Sequence, residues 1–294
     1  MPGRRAAPER TVGHDGAVDL KAVAAANLAD FSQESFTDAG VTHDVYRKGS
    51  GPAVIVIAEI PGITPKVLDF ARKVVDAGFT AVLPHLFGTP GLDAANPKAI
   101  GYAGTAKSMA KLAANLCVSR EFTILATGKS SPVVTWLRAL ARQEHERCGG
   151  KGVGAVGMCF TGGFALGMAV DDVMLAPVLS QPSLPFRPIP GTGRTIDISP
   201  QDLDTVKVRC AKQGLKVMGL RFKGDFMVPG ERFDFLREQL GDGFIAVEID
   251  DADANPDALT PPHSVLTEHL IDEPGQPTRQ ALDDVIQLFR DTLV

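Results

Sequence analysis

A chain of 294 residues with 44% hydrophobic and 22% charged residues has a globular composition, which excludes collagen-like, coiled-coil and disordered readings. Its length allows about three quarters of the unfolded surface to be buried, so a core needs no disulfide or metal staple. A net charge of −5 without a clustered basic face argues against nucleic acid as a partner. The four cysteines, Cys117, Cys148, Cys159 and Cys210, form no C-x-x-C pair, and no two histidines stand four apart. Neither a disulfide scaffold nor a metal site is expected, and no cofactor is implied. Free thiols in a reducing cytoplasm are the expectation. The basic start, Met1 to Arg10, leads into no apolar signal segment, and no run of 18 apolar residues predicts a membrane span.

Residues 1–40 are polar and Ala-rich and read as an N-terminal arm, with a weakly amphipathic stretch from Leu20 to Phe31. Residues 41–294 read as one α/β domain. Thr42 to Arg47 suits an edge strand, and the β-branched run Ala53 to Ala58 suits a strand covered on both faces. Pro65 opens a helix carrying Val67, Phe70, Ala71 and Val74 on one side, Gly78 closes it, and Phe79 to Leu83 follows as a strand. Further on come helical patterns at 101–116 and 132–147 and a strand at 152–157. A helix over 164–170 and a strand at 173–178 lead into a Pro/Gly-rich loop at 181–200. The strand 215–221, helix 229–240, strand 244–249 and a C-terminal helix from Pro277 complete the pattern. This alternation predicts a mostly parallel, twisted sheet with helices on both faces.

Gly157-Met-Cys159-Phe-Thr-Gly-Gly163 joins a short apolar strand to a small-residue helix. A side chain on so sharp a strand-to-helix turn stands exposed at the carboxyl end of the sheet. There the helix dipole favours a thiolate. Taken alone, Cys159 is equally a buried structural thiol. Asp225, in Gly-Asp-x-x-Val-Pro after a strand, is equally a helix cap, and a loop histidine such as His263 is ordinarily solvated. Their order, nucleophile then acid then histidine, each past a strand's carboxyl end, joins them into one constellation.

With Glu59-Ile60-Pro-Gly62 after the first core strand, these motifs resemble the dienelactone hydrolase family, cysteine-nucleophile members of the α/β-hydrolase fold, over residues 41–294. The resemblance implies that Cys159 attacks a carbonyl, His263 carries the proton and Asp225 orients the imidazole. It implies that the amides of Ile60 and Phe160 form an oxyanion hole, and that Glu59 touches the thiol and holds it neutral at rest. The family holds its substrate's carboxylate with arginines, one of them a turn after the histidine, where this chain has Thr267. Arg120 is the candidate replacement, its alternative being a surface ion pair with Glu121 or Glu144. The expected function is that of a carboxylic ester hydrolase, similar to carboxymethylenebutenolidases, cleaving small esters or lactones through an acyl-enzyme. A general carboxylesterase or thioesterase with the same triad stays open, as does a non-catalytic fold member that binds a ligand or senses thiol oxidation. The partner expected is a small-molecule substrate, with no nucleic acid and no membrane, and the sequence sets no oligomeric state.

Overall fold

The computed structural model describes residues 19–118, 130–186 and 192–294. Its strands are β1 (Ser32–Asp38), β2 (Val41–Gly49), β3 (Ala53–Ile57), β4 (Thr80–Pro84), β5 (Val153–Met158), β6 (Met174–Ser180), β7 (Val217–Phe222) and β8 (Phe244–Ile249). They form one sheet in the order β1-β2-β4-β3-β5-β6-β7-β8. Only β2 runs against its neighbours, pairing antiparallel with β1 and β4; the other pairings are parallel. The helices are α1 (Leu20–Leu28), α2 (Pro65–Asp76), α3 (Pro97–Ile100), α4 (Tyr102–Val118) and α5 (Val133–Cys148). α6 (Gly162–Met168), α7 (Pro200–Gln213), α8 (Gly230–Leu240) and α9 (Pro277–Leu293) follow.

The central strands are continuous apolar runs because helices cover both of their faces. Ile55 and Ile57 of β3, Val82 of β4 and Ala155 of β5 face Trp136, Leu137 and Leu140 of α5 and Phe164 of α6. Val54, Val56, Leu83 and Val156 face the other way, onto Leu68 and Val74 of α2 and Val285 and Phe289 of α9. The alternation is the period-two geometry of a strand, and each fully buried Val, Leu or Phe contributes about 1.5–3 kcal/mol. α2 starts where its signals place it, with Pro65 in the first turn and Thr64 Oγ1 accepting the Val67 N–H at 3.3 Å. Arg47 of β2 grips Glu144 of α5 through Nε at 3.0 Å and Nη2 at 2.6 Å, both residues buried. Glu144 is thus committed to Arg47.

The strand expected at the edge over Thr42 to Arg47 lies inside the sheet, between β1 and β4, and two further expectations are corrected. The polar N-terminal arm does not extend to residue 40: β1 pairs with β2 from Ser32↔Arg47 to Asp38↔Val41, and α1 packs on α2. The turn Ala39-Gly40 has positive φ at both residues (48° and 81°), the requirement of a tight hairpin whose twist matches its strands. β1 escapes the sequence pattern because most of it lies exposed at the sheet edge, where no apolar alternation is demanded. The second of these is α7. The Pro-rich loop ends at Ser199, whose hydroxyl accepts the Asp202 N–H at 3.1 Å and starts a helix closed by Gly214 at φ 71°. No helix among the described residues is long and apolar enough to cross a membrane.

Candidate active site

Strand β5 delivers Cys159 at φ 54°, a left-handed conformation that a side chain rarely adopts. Two glycines make the turn possible. A Cβ on Gly157 would stand 2.2 Å from Thr161 O, and one on Gly162 would stand 2.5 Å from Pro182 Cα. Thr161 is the clasp of this turn. Its hydroxyl accepts the Met158 N–H at 2.9 Å and donates toward Ile57 O, also at 2.9 Å. The elbow is thereby tied to the end of β3, from which Glu59 and Ile60 follow. Gly62 N–H closes that second turn on Glu59 O at 2.7 Å. The two expected oxyanion donors, Ile60 and Phe160, therefore sit on adjoining turns joined by one buried hydroxyl.

Asp225 and His263 meet as the sequence order requires. His263 Nδ1 and Asp225 Oδ2 are 2.6 Å apart in a buried contact. Asp225 Oδ1 accepts the Met227 N–H at 2.9 Å, so both carboxylate oxygens are occupied and neither caps α8, which begins at Gly230. The acidic loop after β8 braces this turn, Asp251 accepting the Gly224 N–H at 2.8 Å. Among the described residues the buried His263 Nε2 has no hydrogen-bond partner, while the Cys159 thiol lies close enough for its charge to act on the ring. Burial works against charging the imidazole, but the negative charge available on Cys159 and the bond to Asp225 outweigh it and raise the His263 pKa well above 6.5. Cys148 and Cys210 are free and partly buried. Burial pushes both thiols up, as expected of packing cysteines.

Glu59 is buried but turned elsewhere. Thr267 Oγ1 donates to its Oε1, Ser264 Oγ to Oε2 at 2.6 Å, and Gln181 Nε2 to Oε2 at 3.1 Å. Among the described residues no hydrogen bond joins Glu59 to Cys159. The expected contact between carboxylate and thiol is replaced by an anchor that holds the histidine loop, and Thr267 at the anticipated arginine position is part of it. Cys159 Sγ has Ser183 Oγ at 3.4 Å. Arg120 lies outside the described residues. Sequence reasoning missed Ser183, Gln181 and His269. The first two sit in the Pro-rich loop after β6, and His269 Nδ1 accepts the Ser264 N–H at 3.1 Å.

A strained cysteine elbow on a mostly parallel sheet, with an acid and a histidine on later strand ends, defines an α/β-hydrolase. A sequence model of the dienelactone hydrolase family matches residues 41–189, just over half of the chain, and the chain belongs to that family. Its activity is of the hydrolase class. Among solved structures, a Klebsiella pneumoniae protein named a dienelactone hydrolase is 17% identical at a TM-score of 0.56, over 88% of this chain and 98% of its own. The dienelactone hydrolase of Anabaena variabilis is 16% identical with a TM-score of 0.55, over 90% of this chain and 100% of its own. A dienelactone hydrolase-like promiscuous phosphotriesterase from metagenomic libraries is 15% identical with a TM-score of 0.54, over 90% and 98%. At these identities the likeness is one of fold. No curated protein sequence matches this chain.

Proposed function

We propose that the chain hydrolyses small esters or lactones through Cys159, His263 and Asp225. The observation that carries this reading is the 2.6 Å contact of Asp225 with His263 Nδ1, which leaves the buried Nε2 on the side of Cys159. The Cys159 proton passes to Nε2, and the thiolate attacks the carbonyl carbon. A C–S bond forms while the carbonyl electron pair moves onto oxygen, facing the amides of Ile60 and Phe160. Each such donor contributes about 3–4 kcal/mol to the transition state. As the intermediate collapses the C–O bond breaks, and the leaving oxygen takes the proton from Nε2. Water then attacks the thioester, gives its proton to Nε2, and releases the acid with the thiol restored. Asp225 stays ionised throughout and holds the tautomer.

The mouth of the site favours neutral acyl groups, the carboxylesterase form of this reading. Ile60, Leu86, Phe87, Phe186 and Met227, each partly buried on a loop past a strand's carboxyl end, pack against the same core cluster as Cys159. Phe87 packs edge-on to Phe160 with centroids 5.3 Å apart. Thr267, committed to Glu59, provides no cation for a substrate carboxylate. The test is a panel of dienelactone, neutral lactones and short p-nitrophenyl esters, with wild type and Cys159→Ala side by side. Neutral substrates are expected to turn over best, and Cys159→Ala to lose at least about ten-thousandfold with its melting temperature retained. Turnover surviving that substitution would overturn the triad; silence across the panel would favour a binding or thiol-sensing role.

A further inference from the structure

The partner of the nucleophilic thiol is a residue that neither the motifs nor the family resemblance singles out. Ser183 is fully buried, and its hydroxyl stands 3.4 Å from Cys159 Sγ, within the range of a hydrogen bond to sulfur. Among the described residues Sγ is the only hydrogen-bond partner of that hydroxyl. A buried O–H has one proton to give and loses free energy if it gives it to nothing; between a neutral thiol and this hydroxyl either group can donate, but once the thiol has lost its proton only the hydroxyl can.

The hydroxyl is held there from several sides. Ser183 N–H donates to Cys159 O at 3.0 Å, docking the loop after β6 directly onto the elbow. Gly162 lets that loop approach, since a Cβ there would collide with Pro182. The guanidinium of Arg232, fully buried on α8, donates to Pro182 O and Pro185 O, each at 2.6 Å, on either side of Ser183. Glu59, the residue expected at the thiol, has its two oxygens shared among Thr267, Ser264 and Gln181. The nucleophile thus faces a neutral donor where a carboxylate was anticipated, and the two have opposite effects. An anion beside a thiol disfavours its ionisation, whereas a hydroxyl that donates to the sulfur favours the thiolate.

We propose that Ser183 is a further catalytic residue, whose hydroxyl donates to the Cys159 thiolate and keeps the nucleophile ionised against His263 before any substrate arrives. The assignment rests on Cys159 being the nucleophile. In the resting exchange the Cys159 proton moves to His263 Nε2, leaving a thiolate and an imidazolium. Ser183 keeps its own proton and supplies only the hydrogen bond. No substrate anion is needed to displace Glu59, in keeping with a site that has a threonine where the family places an arginine.

The test is the pH profile of Cys159 alkylation by iodoacetamide in the full chain, followed at that cysteine by peptide mass spectrometry. One charge-assisted hydrogen bond corresponds to a shift of about one pH unit. Ser183→Ala is expected to move the inflection up by about that much. Ser183→Thr, which retains the hydroxyl, is expected to hold it near the wild-type position, and Glu59→Gln to move it less than Ser183→Ala does. An inflection unmoved in Ser183→Ala overturns the proposal, as do equal shifts in the alanine and threonine variants, which would assign the effect to packing. A silent Ser183→Ala beside a lowered inflection in Glu59→Gln also overturns it, returning the thiol to the carboxylate. Alkylation reads ionisation without turnover, so loss of this proposal leaves the triad standing. The triad fails separately, if Cys159→Ala still hydrolyses the panel.

Discussion

The histidine six residues beyond His263 has no proton to move in the reaction, yet it shapes the loop that carries the base. His269 Nδ1 accepts the Ser264 N–H at 3.1 Å, and Nε2 faces Thr260 O at 3.0 Å. An imidazole can accept at one nitrogen and donate at the other only when neutral, and burial lowers the His269 pKa below 6.5. The sign follows: the unfolded chain binds the proton more readily, so this contribution is complete above about pH 6.5 and is lost as pH falls below it. His269→Ala leaves the Ser264 amide without its acceptor and is expected to cost about 1–3 kcal/mol at pH 7.5. The variant should also lack part of the wild-type loss of stability on acidification; urea midpoints at pH 5.5 and 7.5 measure both. At this scale the sequence was legible where a residue marks a demand of its own backbone. Cys159 sits among glycines that the elbow requires, Asp225 stands just past an apolar strand, and His263 follows on the loop after the next one. Ser183, Gln181 and His269 were not legible because their partners are set by tertiary packing. Gln181 reaches Glu59 across 122 positions of chain, and no local pattern announces such a pairing.

Among the elements, α8 does the work of holding two loops in register. Arg232 donates through Nε to Thr195 O at 2.8 Å and through its two terminal nitrogens to Pro182 O and Pro185 O at 2.6 Å. Met227 O, on the Asp225 turn, lies 3.4 Å from Nη1. Burial pushes the guanidinium down to about 10, the negative charge of Asp225 opposing it, so it stays charged at neutral pH. Only a planar fork reaches these carbonyls together; an ammonium is a compact point charge with three donors. Arg232→Lys is therefore expected to lower the urea midpoint by the equivalent of about 1–3 kcal/mol. It should also reduce kcat on p-nitrophenyl esters more than it changes KM, because the Ser183 and Asp225 loops loosen while the acyl-binding side chains stay. Equal kcat in the two proteins would deny α8 this role. Elements with a wide apolar side, such as α2, α5 and α9, were readable from spacing alone. α7 was hidden because its buried face is only Leu203, Val206 and Arg209, and Arg209 serves there as a donor to the Ala169 and Met174 carbonyls. Its local marks were at its ends: the cap at Ser199 with Pro200 behind it, and the left-handed Gly214.

Across the whole molecule, the candidate groups come from the carboxyl ends of β3, β5, β6, β7 and β8, the edge where an open parallel sheet gathers its loops. The same edge carries a buried cost. Asp197, 2% exposed, lies against Gly163 at the start of α6 and accepts the Ser131 hydroxyl at 2.9 Å, and among the described residues its other oxygen has no hydrogen-bond partner. Desolvation raises its pKa from 3.8 to about 7. A carboxyl whose folded value is raised binds its proton more tightly folded than unfolded. Stability is therefore greatest below about pH 4 as far as this group is concerned, and falls as pH rises toward 7. His269 acts in the opposite sense, losing its contribution below about pH 6.5, so the two together oppose each other across the weakly acidic range. Each unit of displacement is worth about 1.4 kcal/mol, which makes ionised Asp197 a penalty of a few kcal/mol at pH 8. Asp197→Asn, of nearly equal shape and permanently neutral, removes that penalty. The expected outcome is a higher urea midpoint than wild type at pH 8, with the advantage shrinking as the pH is brought to 5. A midpoint at pH 8 equal to or below that of wild type would mean that Asp197 is ionised without cost, and that this edge of the sheet holds its charge by contacts other than Ser131.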